Sequence, residues 1–302
     1  MTASAPLLLY FDDEAASALR LADAGGFDAA LIERHRFPDG ELRLRLPPAL
    51  PAHTLLLRSL NQPNEKLVEL LLTAPAAREL GVRHLTLLAP YLGYMRQDVA
   101  FSPGEAVSQR IVGRFLAGLF DALITVDPHL HRVATLDQAV PALQTVTLSG
   151  APLLSDLIAQ RRPQALLVGP DQESAQWLNV AAARHGFDSA LCTKVRHGDH
   201  QVAIALPERP VAGRDVVLLD DVASTGRTLA QAARQLLAAG AQRVDVAVTH
   251  AIFSGDALAQ LLAAGVGEVW STDCIAHPSN CVSMASALAQ AARGVLAQAA
   301  RP

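Results

Sequence analysis

The stretch "VVLLDDVASTGRTL", Val216–Leu229, sets two carboxylates behind four apolar residues, then a run of small, hydroxylated and basic residues. Val216–Leu219 is short, apolar and partly β-branched, the pattern of a strand covered on both faces. Leu229, Ala233, Leu236 and Leu237 recur at helical spacing up to Gly240, a stop signal, and "RVDVAVTHAIF" reads as the next strand. This is a βαβ unit, and ligands of such sheets bind beyond the carboxyl ends of the strands. The "ASTGRT" turn occupies that place. Its backbone N–H groups and the helix N-terminus suit a phosphate, and Gly226 lets the chain approach closely. Ser224, Thr225 and Thr228 add hydroxyls and Arg227 a positive charge.

Asp220 and Asp221 would repel a phosphate that they faced. Their natural partners are sugar hydroxyls or a metal ion. Phosphate donors beside a diol acceptor describe a site for a ribose 5-phosphate group. The competing reading, a capped helix with a solvated acid pair, leaves the rest of the string without a reason.

The chain has 302 residues, enough for two domains, and with 51% apolar and 18% charged residues it can build a large core. A net charge of −4 without a basic tract gives nucleic-acid binding no electrostatic support. No apolar run is long enough for a bilayer, and "MTASAPLLLYFDDE" lacks the basic start of a signal peptide. Cys192, Cys274 and Cys281 are odd in number and have no metal-ligand spacing, which fits thiols in a reducing cytoplasm.

Strand and helix patterns alternate, so the fold class is α/β. "PLLLYF", "TLLLRSL", "HLTLLAPYL" and "ALITVDPH" read as strands, and "ELRLRL" as an edge or hairpin strand. "NEKLVELLLTAPAAREL" reads as a helix that Pro75 kinks or splits. "SPGEAVSQRIVGRFLAGLF" reads as a helix opened by a capping box of Ser102 and Glu105, with Pro103 at its first position. The second half repeats the plan, including two strands in "SALCTKVRHGDHQVAIAL" joined by a polar turn. Two domains of similar size are expected, residues 1–146 and 147–302, with the final helix free to pack on either.

Several strands end in polar clusters. Phe37, Asp39 and Glu41 surround a Pro-Asp-Gly turn, which by itself is only a turn. Arg96, Gln97 and Asp98 follow a strand, and Arg96 suits a bidentate phosphate contact or a surface ion pair. Asp127, His129 and His131 follow another; two histidines this close suit zinc, one suits Mg²⁺, and a structural role is the alternative. Asp171 begins a helix as a cap or faces a ligand. Lys194, Arg196, His197 and His200 stand in a hairpin whose ordinary meaning is a solvated basic tip. Together these strand ends suit a substrate with several phosphates and a divalent ion.

In order and along nearly the whole chain, "FPDGE", "NEKLVELLL", "PYLGYMRQD", "DPH", "GPD", "KVR" and "DDVASTGRTL" resemble the signature segments of the ribose-phosphate diphosphokinase family. The last is shared with type I phosphoribosyltransferases; "PYLGYMRQD" and "FPDGE" are particular to the synthetases. The resemblance implies two phosphoribosyltransferase-like domains, each a mostly parallel sheet flanked by helices, in a cytoplasmic homo-oligomer with a dimer as its minimal unit. It implies transfer of the diphosphoryl group of ATP to ribose 5-phosphate. ATP contacts fall on Phe37, Asp39, Glu41, Arg96 and Gln97, the first three partly reaching a neighbouring subunit. Mg²⁺ falls to His129 and Asp171, catalysis to Lys194 and Arg196 of a mobile hairpin, and ribose 5-phosphate to Asp220, Asp221 and Ser224 to Thr228. The chain departs from the commonest pattern at Val99, at Gln172–Ser174 and in its short hairpin. The rival readings are a phosphoribosyltransferase acting on a base, which leaves "RQD" and "FPDGE" unexplained, and a catalytically silent partner of the synthetase.

Overall fold

The computed structural model describes residues 5–300 apart from 131, 142, 198–200 and 207–208, and over the rest of 194–205 the backbone alone. The chain divides into two compact units, Met1–Leu148 with Met284–Pro302, and Ser149–Ser283.

The first unit contains β1 (Leu7–Tyr10), α1 (Ala15–Gly25), β2 (Asp28–Leu31), β3 (Glu33–Arg36), β4 (Leu42–Arg45), β5 (His53–Leu57), α2 (Pro63–Glu79), β6 (His84–Ala89), α3 (Ser108–Ala117), β7 (Ala122–Val126), α4 (Leu136–Ala139) and β8 (Gln144–Leu148). Six of these strands form one parallel sheet in the order β2-β1-β5-β6-β7-β8. β3 and β4 pair antiparallel outside it.

The second unit contains α5 (Ala151–Arg161), β9 (Leu166–Gly169), α6 (Ala175–His185), β10 (Ser189–Leu191), β11 (Thr193–His197), β12 (Gln201–Ala205), β13 (Asp215–Ala223), α7 (Arg227–Ala238), β14 (Arg243–Ala251), α8 (Ala257–Ala263), β15 (Val269–Thr272) and β16 (Asn280–Val282). Its parallel sheet runs β10-β9-β13-β14-β15-β16, with β11 and β12 as a separate antiparallel pair. The final helix α9 (Ala285–Ala299) belongs to the first unit, where Arg293 donates to the carbonyls of Ala24 at 3.1 Å and Gly25 at 3.3 Å.

The two units repeat one plan. In chain order both sheets place their strands 2-1-3-4-5-6, and both insert an antiparallel hairpin between the second and third. The central strands β5, β6, β7, β9 and β13 are largely apolar because both faces are covered, whereas edge strands such as β2 and β8 are partly exposed. In β13, Val216 and Leu218 enter the core under α7 and α8, while Val217 and Leu219 enter the opposite core with Trp177 and Leu178 of α6. Each such side chain contributes about 1.5–3 kcal/mol on burial.

Three local expectations change. β13 does not stop at Leu219 but runs through both acids to Ala223, because β14 continues beside it: Asp220 pairs with Val248 and Val222 with His250. The segment from Ser102 makes a turn, and α3 starts only at Ser108. The Ser102–Glu105 contacts form without the helix: the Glu105 amide donates to the Ser102 carbonyl at 3.2 Å, and the Glu105 carboxylate accepts from the Phe101 amide at 2.7 Å. Gly104, at φ +88, turns the chain inside the box. Finally, α2 runs unbroken through Pro75. Pro75 and Leu71 both lie on the exposed face, so water replaces the hydrogen bond that proline cannot make.

Candidate active site

The Ser224–Gly226 turn after β13 leads straight into α7, whose N-cap is Gly226 at φ +68 with no side-chain cap. That left-handed backbone is where glycine costs least. A neighbouring segment fixes the turn's carbonyls. Ile252 and Phe253 donate to the Ala223 carbonyl at 3.1 and 2.9 Å, and Ser254 donates to the Ser224 carbonyl at 3.0 Å. With the carbonyls so engaged, the N-terminus of α7 opens on a cavity of about 130 Å³ lined by Ser224, Thr225, Gly226, Arg227 and Thr228. Partial positive charge from the helix, hydroxyls and a guanidinium suit an anion here. Phe253 holds φ +35 and packs on the ring of His277 at 4.9 Å. No pattern in the sequence singled this segment out; its only signal is its place at the end of β14, beside the turn.

Asp171 and Asp220 line the same cavity. Asp171 follows β9, caps the short turn at Gln172–Ser174 by accepting from the Glu173 amide at 3.0 Å, and is buried. The cap that the sequence offered is present, and the same residue lies on the cavity wall. Asp220 accepts from the Asp221 amide at 3.0 Å. Burial, then the charges of Asp221 and Asp171, push the Asp220 carboxyl well above the usual carboxylate range. Asp221 is buried and is not on the cavity wall. Burial and the charge of Asp171 raise the neighbouring Cys192 thiol to about 11.

The other expected residues take these places. Phe37, Asp39 and Glu41 occupy the turn between β3 and β4, all exposed; the Phe37 amide donates to the Glu41 carbonyl at 2.9 Å and the Glu41 amide to Asp39 at 3.1 Å. Glu41 also lines a groove of about 490 Å³ with Arg36, Gly40, Leu42, Glu65, Val68 and Leu72. Arg96 is exposed beyond β6, and Gln97 donates to the Val99 carbonyl at 3.0 Å. His129 is half-buried beyond β7, after Asp127 at φ +36. Lys194 and Arg196 alternate on β11 and so share one face of the hairpin; their side chains lie outside the described structure, as do His131 and His200. Among the described residues no group of three or more His, Cys, Asp or Glu could hold a metal by itself.

The repeated plan gives the cavity an internal control. β1 and β5 pair Leu9 with Leu56, and β9 and β13 pair Val168 with Leu218. Counting three and two residues onward, Asp12 and Arg58 in the first unit take the places of Asp171 and Asp220 in the second. The first unit therefore supplies its own cation. Arg58, 1% exposed, donates to Asp13 at 2.8 Å and to Glu14 at 3.0 Å, and against the pull of burial it holds the Asp13 carboxyl below its usual range. The second unit puts an acid there instead.

Residues 8–119 match the family described as the N-terminal domain of ribose phosphate pyrophosphokinase, and residues 143–260 match the phosphoribosyl transferase domain. Two phosphoribosyltransferase-type units, one with a cavity at the N-terminus of α7 and one with Arg58 paired to Asp13 at the matching strand end, define the class. A ribose-phosphate pyrophosphokinase of Methanopyrus kandleri is 38% identical, with 90% of this chain and 93% of that one covered. Another from Methanosarcina acetivorans is 33% identical, with 91% and 94% covered. The crystal structure of phosphoribosylpyrophosphate synthetase from Mycobacterium smegmatis has the same fold, with a TM-score of 0.84, 24% identity and coverage of 97% and 99%. The chain belongs to the ribose-phosphate pyrophosphokinase family.

Proposed function

We propose that this chain transfers the β,γ-diphosphoryl group of ATP to the anomeric hydroxyl of ribose 5-phosphate, giving 5-phosphoribosyl 1-diphosphate and AMP. The observation that carries the reading is the cavity after β13, where an uncapped helix N-terminus and two carboxylates face one small space. The α7 turn holds the 5-phosphate. Asp220, on the cavity wall, accepts hydrogen bonds from the ribose hydroxyls and so fixes the sugar; Asp221 takes no part in this reading, because its side chain is buried off the wall. Phe37, Asp39, Glu41, Arg96 and Gln97 hold ATP. Lys194 and Arg196 close over the transferring group, where charge builds on the phosphate oxygens, so positioning and electrostatics supply most of the rate.

The cation of this reading is Mg²⁺, which keeps most of its waters and takes only one or two carboxylates besides phosphate oxygens. Asp171 and Asp220 fit it: they are acids on the wall of one cavity, and the first unit has Arg58 at the place of Asp220. His129, in the first unit, is the other position that the family resemblance gives to the ion, and a bound ion would neutralise phosphate charge. The reading also takes a homo-oligomer with a dimer as its minimal unit, which the exposed Val68, Leu71 and Leu72 of α2 support as a contact face. A cytoplasmic location goes with it; no helix among the described residues is long and apolar enough to cross a membrane.

Nucleotide analysis after incubating the pure protein with ATP, Mg²⁺ and ribose 5-phosphate tests the reading. AMP as the nucleotide product is expected. ADP, or no turnover, removes it, the latter in favour of a silent partner.

A further inference from the structure

The hairpin β3–β4 is fastened to α2 by two ion pairs in register. Arg34 and Arg36 alternate on β3 and share a face, and Glu65 and Glu69 lie one helical turn apart on α2. Arg34 meets Glu69, and Arg36 meets Glu65. Two strand residues advance about 6.6 Å and four helix residues about 6 Å, so both rungs fit together. The outer rung is exposed, whereas in the inner rung Glu69 is wholly buried.

Glu69 is shared. Its second oxygen accepts from Arg58 Nε at 2.7 Å, and Arg58 also reaches Asp13 and Glu14. Both guanidiniums stand near the ring of Phe11, Arg58 at 4.7 Å and Arg34 at 5.7 Å from its centroid. The Glu14 carboxylate then accepts from the Ser59 amide at 2.7 Å. A buried carboxylate shared by two guanidiniums tolerates few geometries, because any N–H or oxygen left unpaired there is costly. The chain of contacts Arg34–Glu69–Arg58 therefore ties the direction of β3 to the end of β5. Beyond Arg36 the hairpin tip is exposed and held chiefly by its own turn hydrogen bonds.

We propose that Arg34 and Glu69 are positioning residues: through Arg58 they aim the β3–β4 tip, which presents Phe37, Asp39 and Glu41 to ATP. The inference rests on reading that tip as an ATP contact. Neither Arg34 nor Glu69 touches substrate.

The test is steady-state kinetics and thermal melting on Arg34→Met, Arg34→Lys, Arg36→Gln and Phe37→Ala. Arg34→Met leaves Glu69 paired to Arg58 through its second oxygen, and the melt reads what the loss of the Arg34 contact costs the fold. It should raise KM for ATP about tenfold, with kcat and KM for ribose 5-phosphate within about twofold of the parent. Arg34→Lys keeps the charge facing Glu69 and should recover most of the loss, while Arg36→Gln should raise KM for ATP about two- to threefold. A folded Arg34→Met with normal KM for ATP, beside a Phe37→Ala that raises it, overturns the inference and leaves the ATP reading standing. If Phe37→Ala is also normal, the tip is no ATP contact and both fall. Equal damage to kcat and to both KM values would mean a general structural role and overturns it too. Should Arg34→Met not fold, normal KM for ATP in both Arg34→Lys and Arg36→Gln overturns it.

Discussion

Asp171 and Asp220 leave neighbouring strands, β9 and β13, and meet on the wall of one cavity. In the first unit the matching pair is Asp12 and Arg58, an acid and a base. Replacing the base by an acid turns a self-neutralised strand end into one that gains from an added cation or from sugar hydroxyls. That substitution falls in the unit whose strand end opens on the α7 cavity.

The raised Asp220 carboxyl makes stability depend on pH. Between the ordinary 3.8 and its raised value, the folded chain holds a proton that the unfolded chain has lost, so stability falls as pH rises through that window. Asp220→Asn carries no charge at any pH and escapes the fall. Melting midpoints of parent and variant should be close near about pH 4 and diverge in the variant's favour as pH rises. A constant difference across that range would show that Asp220 ionises as an ordinary surface acid.

Gly226 sits at φ +68, and a Cβ there would come within 3.3 Å of the Ala257 carbonyl oxygen. Gly226→Ala should cost about 1–3 kcal/mol in melting experiments. KM for ribose 5-phosphate should rise more than KM for ATP, since the strained residue lies in the anion turn. Equal changes in both would separate the turn from the sugar phosphate.

Lys194→Ala decides between a solvated hairpin and a catalytic one. If Lys194 acts on the transferring phosphates, turnover should fall about 100- to 1,000-fold. The melting midpoint and ATP affinity should change little, since the role assigned to Lys194 is to act on the transferring group and ATP is held by other segments. A loss below about tenfold in a folded sample would return Lys194 to the solvated reading.

Activity should vanish in excess chelator and return with Mg²⁺, because acids at strand ends cannot face a polyphosphate without a cation. The Asp171→Asn variant should need more Mg²⁺ for half-maximal rate, measured by titration at fixed ATP. Undiminished turnover in chelator would dismiss the metal.

Alkylation should follow burial. Cys192 and Cys274 are buried and Cys281 is exposed. With the Cys192 thiol raised to about 11, a maleimide or iodoacetamide should label the folded chain at Cys281 alone near neutral pH, and all three in denaturant. Mass spectrometry of the labelled peptides gives the count, and rapid labelling of Cys192 in the folded chain would contradict its burial.

Local patterns determined much of this protein. Apolar four- to six-residue runs specify the buried strands, since a strand covered on both faces needs no alternation. "DDVASTGRTL" specifies the turn into α7, since a glycine at positive φ between a strand and a helix is a backbone requirement written in one residue. The same logic failed at Ser102–Glu105: Gly104 inside the expected box turned the chain, the Glu105 carboxylate took the Phe101 amide, and the helix waited until Ser108.

The tertiary structure decided what depends on pairs far apart in sequence. β13 runs on through its acids because β14 continues beside it, and no window around Asp220 contains β14. The approach of Asp171 to Asp220, the matching place of Arg58, and the hold of Glu69 on Arg34 each follow from strand order and register. Charge energies fall off with distance and rise with burial, and both are set only when the sheets assemble. The residue types in the candidate site were therefore legible in the chain, but which of them share one cavity was not.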